Sequence, residues 1–213
     1  MATAKKGSTD GYTGRVGNTV TYELNGQMVK REIGVIVKKP SIAQLANQQR
    51  TKLCSEFLRM IQEFTEVGFK LQVPNPYDNT WNAATSYNKR FAIKGIYPHQ
   101  EIDYSNVLLS LGDMPLVSGA QVQGVAEGLA FTWDTNTIDG MRWNDQLLVM
   151  AYLPDRHDGH YRMSVVTRDQ GRYILTLPRY AKPTVMETYL SFISANHKSV
   201  MTSIYLGQVT WSA

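Results

Sequence analysis

Hydrophobic and polar positions alternate in short runs over the last hundred residues of the chain. The runs lie near Ala120–Val125, Leu129–Trp133, Gln146–Leu153, Tyr161–Thr167, Arg172–Leu177, Thr188–Ser194 and Val200–Val209. Turn residues separate them: Glu127-Gly128, Asp139-Gly140, Pro154-Asp155, Asp169-Gln170-Gly171, Pro178 and Asn196-His197. Period-two alternation at this spacing predicts seven strands and an all-β sandwich, not a βαβ sheet. The front of the chain has a different rhythm. Asn18–Leu24 and Gln27–Ile33 flank Asn25-Gly26, a pair that tolerates the positive φ angles of a two-residue hairpin turn. Val35-Ile36-Val37 then extends the second strand with an apolar run, which would leave a sticky edge if nothing covered it.

Lys38-Lys39-Pro40-Ser41 marks the change to helix. Ser41 and Gln44 stand at capping-box spacing, and Ile42, Leu45, Leu53, Phe57, Ile61 and Phe64 follow near helical spacing to about Glu66. Gly68 reads as the stop. A second helix is predicted over about Asn79 to Ile93, burying Trp81, Ala84, Tyr87 or Asn88, and Phe91, with Gly95 as its stop. A strand over Ile102–Leu111 leads to Gly112-Asp113-Met114-Pro115. The predicted fold class is an α+β N-terminal part (hairpin plus two helices) followed by an all-β immunoglobulin/fibronectin type III-like sandwich. The predicted segments are a small, polar, flexible basic arm over residues 1–14, the α+β region over 15–117 and the sandwich over 118–213. Trp133 early in the sandwich and the Tyr189–Asn196 strand and turn fit that reading.

Composition narrows the classes. Hydrophobic residues make up 43% and charged residues 19% of the 213, which is ordinary for a globular protein. The N-terminal residues lack an apolar stretch of signal-peptide length, and no run approaches the roughly 18 apolar residues of a membrane span. The expectation is therefore a cytoplasmic or virion-associated protein. Cys54 is the single cysteine, so no disulfide forms within one chain; among apolar helix residues it reads as a buried small hydrophobe. The net charge of +4 is uneven. Residues 1–52 carry nine basic groups against three acidic ones, whereas residues from Ser118 onward carry eight of each.

Several residues carry a resemblance. Gly14-x-x-Gly17-Asn18-x-Val20-x-Tyr22, Gly26, Arg31, Pro40 and Gln44 through Gln49-Arg50 form one group. Asn82-Ala83-Ala84-x-x-Tyr87-Asn88, Tyr97-Pro98, Ile102-Asp103-Tyr104-Ser105 and Leu109-Ser110-x-Gly112 form another. Together they resemble an uncharacterised Bacteroidetes family of about this length, a domain of unknown function. The sequence departs from it at Glu32, acidic after Arg31, and at the apolar Gly34–Val37. The resemblance implies no catalytic residue.

Asp155-Arg156-His157-Asp158-Gly159-His160 contains metal-ligand chemistry. It also contains ordinary Asp-Gly turn chemistry between two strands, with only His99 and His197 elsewhere to complete a ligand set. The turn is the preferred reading, and no metal or cofactor is expected. Nucleophile-elbow, metalloprotease and phosphate-loop signatures are absent from the sequence. Two readings follow. The first is a non-enzymatic structural or adhesive protein that self-assembles or contacts other protein subunits through the edge at Val35, Ile36 and Val37; phage virions and surface filaments contain such parts. The alternative is polyanion or nucleic-acid binding through Lys30, Arg31, Lys38 and Lys39. Adjacent strand residues face opposite ways, so each of those pairs offers one cation per face.

Overall fold

A computed structural model describes residues 3–4, 12–35, 38–75 and 79–212. The chain divides into two compact units, Met1–Ser41 and Ile42–Ala213. The first is a sheet. Strands β1 (Thr3–Ala4), β2 (Tyr12–Val16), β3 (Thr19–Leu24) and β4 (Gln27–Glu32) pair antiparallel in chain order. Asn25 and Gly26 form the β3–β4 turn with φ of 52° and 80°, the doubly positive geometry that their sequence favours.

The second unit opens with three helices: α1 (Ile42–Arg59), α2 (Gln62–Gly68) and α3 (Thr80–Phe91). Asn79 caps α3, its side-chain oxygen accepting from the Trp81 N–H at 2.8 Å. A two-strand ladder, β5 (Ile93–Lys94) with β6 (Glu101–Ile102), follows. The remaining strands are β7 (Gln121–Val125), β8 (Gly128–Thr132), β9 (Gln146–Leu153), β10 (Asp158–Thr167), β11 (Arg172–Thr176), β12 (Thr184–Ile193) and β13 (Ile204–Trp211). They make a three-stranded sheet ordered β11-β8-β7 and a four-stranded sheet ordered β10-β9-β12-β13.

Two cores lie on opposite faces of the four-stranded sheet. On one face Val149, Ala151, Leu190 and Phe192 meet Leu129, Phe131 and Leu175 of the three-stranded sheet. On the other, Leu148, Met150, Tyr152 and Tyr189 meet Phe57, Leu58, Phe64 and Ala84 from the helices. The Phe57 and Tyr152 rings pack edge-on with centroids 4.7 Å apart. Every residue from Leu147 to Leu153 is consequently buried, as the uninterrupted apolar sequence of β9 requires.

These findings correct the expected fold class. The chain is mostly β, with its helices confined to the middle, residues 42–91, and its strands spread over several small sheets. It starts as a sheet and not as an α+β region: β1 to β4 pair only with one another, and the unit Met1–Ser41 contains no helix among its described residues. The helices instead cover a face that a free-standing immunoglobulin- or fibronectin-like sandwich would leave to solvent. Periodicity locates an apolar face but does not say which element covers it; the helical and strand faces here belong to one core.

Close approaches fix the junction between helices and sheet. A Cβ on Gly68, at the end of α2, would lie 2.2 Å from the Leu109 carbonyl oxygen, and one on Gly112 would lie 2.1 Å from that of Val200. Between these glycines Ser110 is buried, its Oγ donating toward Ser191 Oγ and the Met201 carbonyl, both at 2.8 Å.

Candidate functional site

The N-terminal sheet lacks a core of its own. No residue described from 13 to 35 or 38 to 41 is buried, and Val16, Leu24 and Val35 are 60%, 53% and 76% exposed. A sheet with neither face covered has little hydrophobic stabilisation to offset the entropy of ordering it.

Its pairing register sorts the side chains. Arg15 stands opposite Val20, and Val20 opposite Arg31; Tyr22 stands opposite Val29. Arg15, Val20, Tyr22, Val29 and Arg31 therefore share one face. The Arg31 guanidinium lies 5.8 Å from the Tyr22 ring centroid. Lys30 stands opposite Thr21 and so points to the other face. The register thus splits the Lys30-Arg31 pair and joins Arg31 to Arg15, a partner that sequence reasoning missed. The signal was available in the two turns, because Gly17-Asn18 and Asn25-Gly26 set the registers of β2, β3 and β4.

The register also identifies the free edge. Ile33 N–H donates to the Asn18 carbonyl at 2.8 Å. Hydrogen-bonded pairs alternate along an antiparallel ladder, so Arg31, Val29 and Gln27 point their backbone groups inward. Met28, Lys30 and Glu32 point theirs away from β3. Of the candidate edge residues, Val35 lies beyond the end of β4, in an exposed non-strand segment; Ile36 and Val37 lie outside the described residues. Lys38 and Lys39 are exposed and outside any strand. The edge thus sits at Met28–Glu32, upstream of the apolar run.

The edges of the four-stranded sheet in the second unit are interrupted. The β9–β10 register breaks between Met163 and Thr167, where Ser164 has φ 56°. The β12–β13 register shifts between Thr188 and Tyr189, opposite Gly207 at φ 101°. Trp211 Nε1–H, from β13, donates to the Val125 carbonyl of β7 at 2.6 Å and ties the two sheets together. Bulges and closures of this kind block strand addition; β4 keeps its register for all six residues.

Within Asp155–His160, residues through His157 make a tight connection from β9, and Asp158 to His160 already belong to β10. His157 takes the left-handed conformation at φ 49°, and Asp158 Oδ1 accepts from the Gly159 N–H at 2.8 Å. His160 Nε2 lies 2.5 Å from the Tyr180 hydroxyl, and the Arg156 guanidinium stacks over Tyr180 at 4.5 Å. Among the described residues no group of three or more His, Cys, Asp or Glu side chains is placed to hold a metal.

A polar cleft of about 750 Å³ lies beside α2 and the start of α3, lined by residues including Gln62, Glu66, Lys70, Asn79 and Trp81. Among the described residues of its lining, Glu66 is the carboxylate and Lys70 the ammonium. Cys54 is buried, and burial pushes its thiol pKa up to about 11, away from nucleophilic use.

The middle residues that carry the family resemblance serve the architecture. Asn88 is buried; its Nδ2 donates to the Ala84 and Leu108 carbonyls at 3.0 and 2.9 Å, and its Oδ1 accepts from the Leu108 N–H at 2.9 Å. Ser110 and Gly112 hold the adjoining segment as described above. Among the described residues no helix is long and apolar enough to cross a membrane.

Neither a curated protein nor a solved structure matches the chain. A family model described as "Family of unknown function (DUF6266)" matches residues 11–207, most of its length. The chain belongs to the DUF6266 family of unknown function.

Proposed function

We propose that this protein is a non-enzymatic structural component that works by self-assembly, with the open edge of β4 as the assembling element. The observation that carries this reading is the N-terminal sheet, which has no buried residue from 13 to 35 and an unbroken strand in β4. Strand addition would satisfy the outward N–H and C=O groups of Met28, Lys30 and Glu32. It would also cover exposed apolar surface at Leu24 and Met28. Virion parts and surface filaments assemble in this manner, and that comparison is one of architecture alone.

Light scattering on the full chain provides the test. The wild type is expected to form a defined oligomer or filament. Lys30→Pro removes an N–H that points away from β3, so it blocks addition at the edge while sparing the β3–β4 hydrogen bonds. That variant and a chain lacking residues 1–37 are both expected to run as monomers. A wild-type monomer of 24.0 kDa at high and low salt, or assembly unchanged by Lys30→Pro, would overturn the reading.

A second reading, polyanion binding by the front of the chain, draws support from Arg15 and Arg31 sharing the face that carries Tyr22, with Arg31 over the Tyr22 ring. It predicts salt-dependent binding to an oligonucleotide that Arg15→Gln/Arg31→Gln abolishes. Retention of that binding in the double variant would reject it.

A further inference from the structure

The helical layer holds a second cleft, of about 460 Å³, lined by Arg50 of α1 and by Asn82, Thr85, Ser86, Lys89 and Arg90 of α3. Three of the six lining residues are cations and none is a carboxylate. Among the described residues, none of the three cations forms an ion pair. Elsewhere on the same layer Lys52 pairs with Glu56 and Lys94 with Glu101, whereas the three cations of this cleft share a lining with no carboxylate among the described residues.

Its cations are held in place. Gln100 is buried, and with its amide in the orientation that satisfies both its oxygen and its nitrogen it donates to the Ala46 carbonyl at 2.9 Å and accepts from Arg50 Nε at 2.8 Å. That bond fixes the guanidinium and leaves its two terminal nitrogens free of Gln100. The Arg90 guanidinium rests 5.3 Å from the Phe91 ring centroid. Lys89 is half-buried, which reduces the screening of its charge by water. Asn82, Ser86 and Lys89 follow one another at helical spacing and offer amide, hydroxyl and ammonium donors along one side of α3. Thr85 Oγ1, in the same lining, is buried and has no hydrogen-bond partner.

We propose that this cleft binds phosphate groups. Planar guanidinium forks match phosphate oxygens, an ammonium supplies a point charge, and neutral donors fill the remaining lone pairs. Holding the cations in advance lowers the entropy cost of binding. The site is built from residues of the second unit alone, and stands or falls independently of the readings drawn from the first.

Calorimetric titration of the full chain with pyrophosphate, and in parallel with an oligothymidylate of about 12 nucleotides, distinguishes a small phosphorylated ligand from a nucleic-acid backbone. At least one probe is expected to bind. Lys89→Gln/Arg90→Gln is expected to weaken that binding at least tenfold with an unchanged circular dichroism spectrum, whereas Arg15→Gln/Arg31→Gln leaves it unchanged. If the oligonucleotide alone binds, the same variant should reduce the slope of log K against log salt by about 1.4, at about 0.7 per lost phosphate contact on a single strand. Should the double variant perturb folding, Lys89→Gln alone serves, since Lys89 lies outside both hydrophobic cores. Failure of both probes to bind, or binding indifferent to the groove variants, would overturn the proposal.

Discussion

Arg168 and Asp145 form an ion pair inside the second unit, Nε to Oδ2 at 3.2 Å, with side chains 0% and 1% exposed. Their backbones are joined as well: Arg168 N–H donates to the Asp145 carbonyl at 2.8 Å. The pair lies where β9 begins and β10 ends, and it gathers three further elements. The Arg168 carbonyl accepts from Trp133 Nε1–H at 2.7 Å, and its guanidinium sits 4.1 Å from the Phe192 ring centroid and 3.4 Å from Met114 Sδ. Burial lowers the pKa of Arg168, and the Asp145 charge works against that shift. The arginine therefore organises one end of both sheets.

Removing one partner leaves the other as a buried, uncompensated charge. Asp145→Ala is expected to cost about 3–5 kcal/mol of unfolding free energy. Asp145→Ala/Arg168→Met should cost less than the single change, because both charges leave together. Urea melts of the two variants measure the difference; equal losses would show that the pair's charge is not what is being lost.

Asn88 acts as a substitute strand partner for Leu108. Two of the three hydrogen bonds of this buried amide hold the Leu108 segment, which has no ladder of its own, and the third returns to Ala84 of α3. At about 1 kcal/mol each, Asn88→Ala should lose about 2–3 kcal/mol and speed hydrogen exchange at the Leu108 amide. An unchanged exchange rate would mean that the segment is held from the sheet side, through Ser110 and Ser203.

The contrast between these residues and the strands shows which levels of structure the sequence displays. The seven strands after Ser118, the Asn25-Gly26 turn and the stop at Gly68 are local events, and local alternation, φ preference and spacing reveal them. Which face covers which is not local. The unbroken apolar run of β9 suits a strand buried on both sides, but nothing adjacent to it in sequence names α1 to α3 as the cover. Arg168 and Asp145 were hidden for a related reason: a charged residue beside a turn reads as solvated, and only the folded chain pairs two of them 23 positions apart. Hydrophobicity draws attention to Val35, which lies beyond the end of β4, whereas the turns set which backbone groups of β4 face outward.

Cys54 is buried between α1 and its neighbours, and its thiol titrates at about 11. At pH 8 the native protein should therefore react with a thiol reagent only as fast as it opens. The labelling rate is expected to rise steeply across the urea unfolding transition and to be slow in its absence. Fast native-state labelling would place the thiol at the surface and contradict the packing of α1.

His160 provides a pH dependence whose sign follows from its surroundings. The ring is half-buried, with Nε2 2.5 Å from the hydroxyl of Tyr180, itself under Arg156 and edge-on to Trp211. Burial lowers the imidazole pKa; the Asp158 carboxylate raises it and the Arg162 guanidinium lowers it further, leaving a net decrease. A histidine depressed in the folded state binds fewer protons there than in the unfolded chain. Its stabilising contribution is complete above the ordinary histidine value of about 6.5, and is lost as pH falls through the folded value. The melting temperature should decline over that acid interval in the wild type and decline less in His160→Gln, with the two profiles parallel above about pH 7.5. Parallel profiles throughout would assign the acid loss to carboxylates instead, and would leave the His160–Tyr180 contact without a part in it.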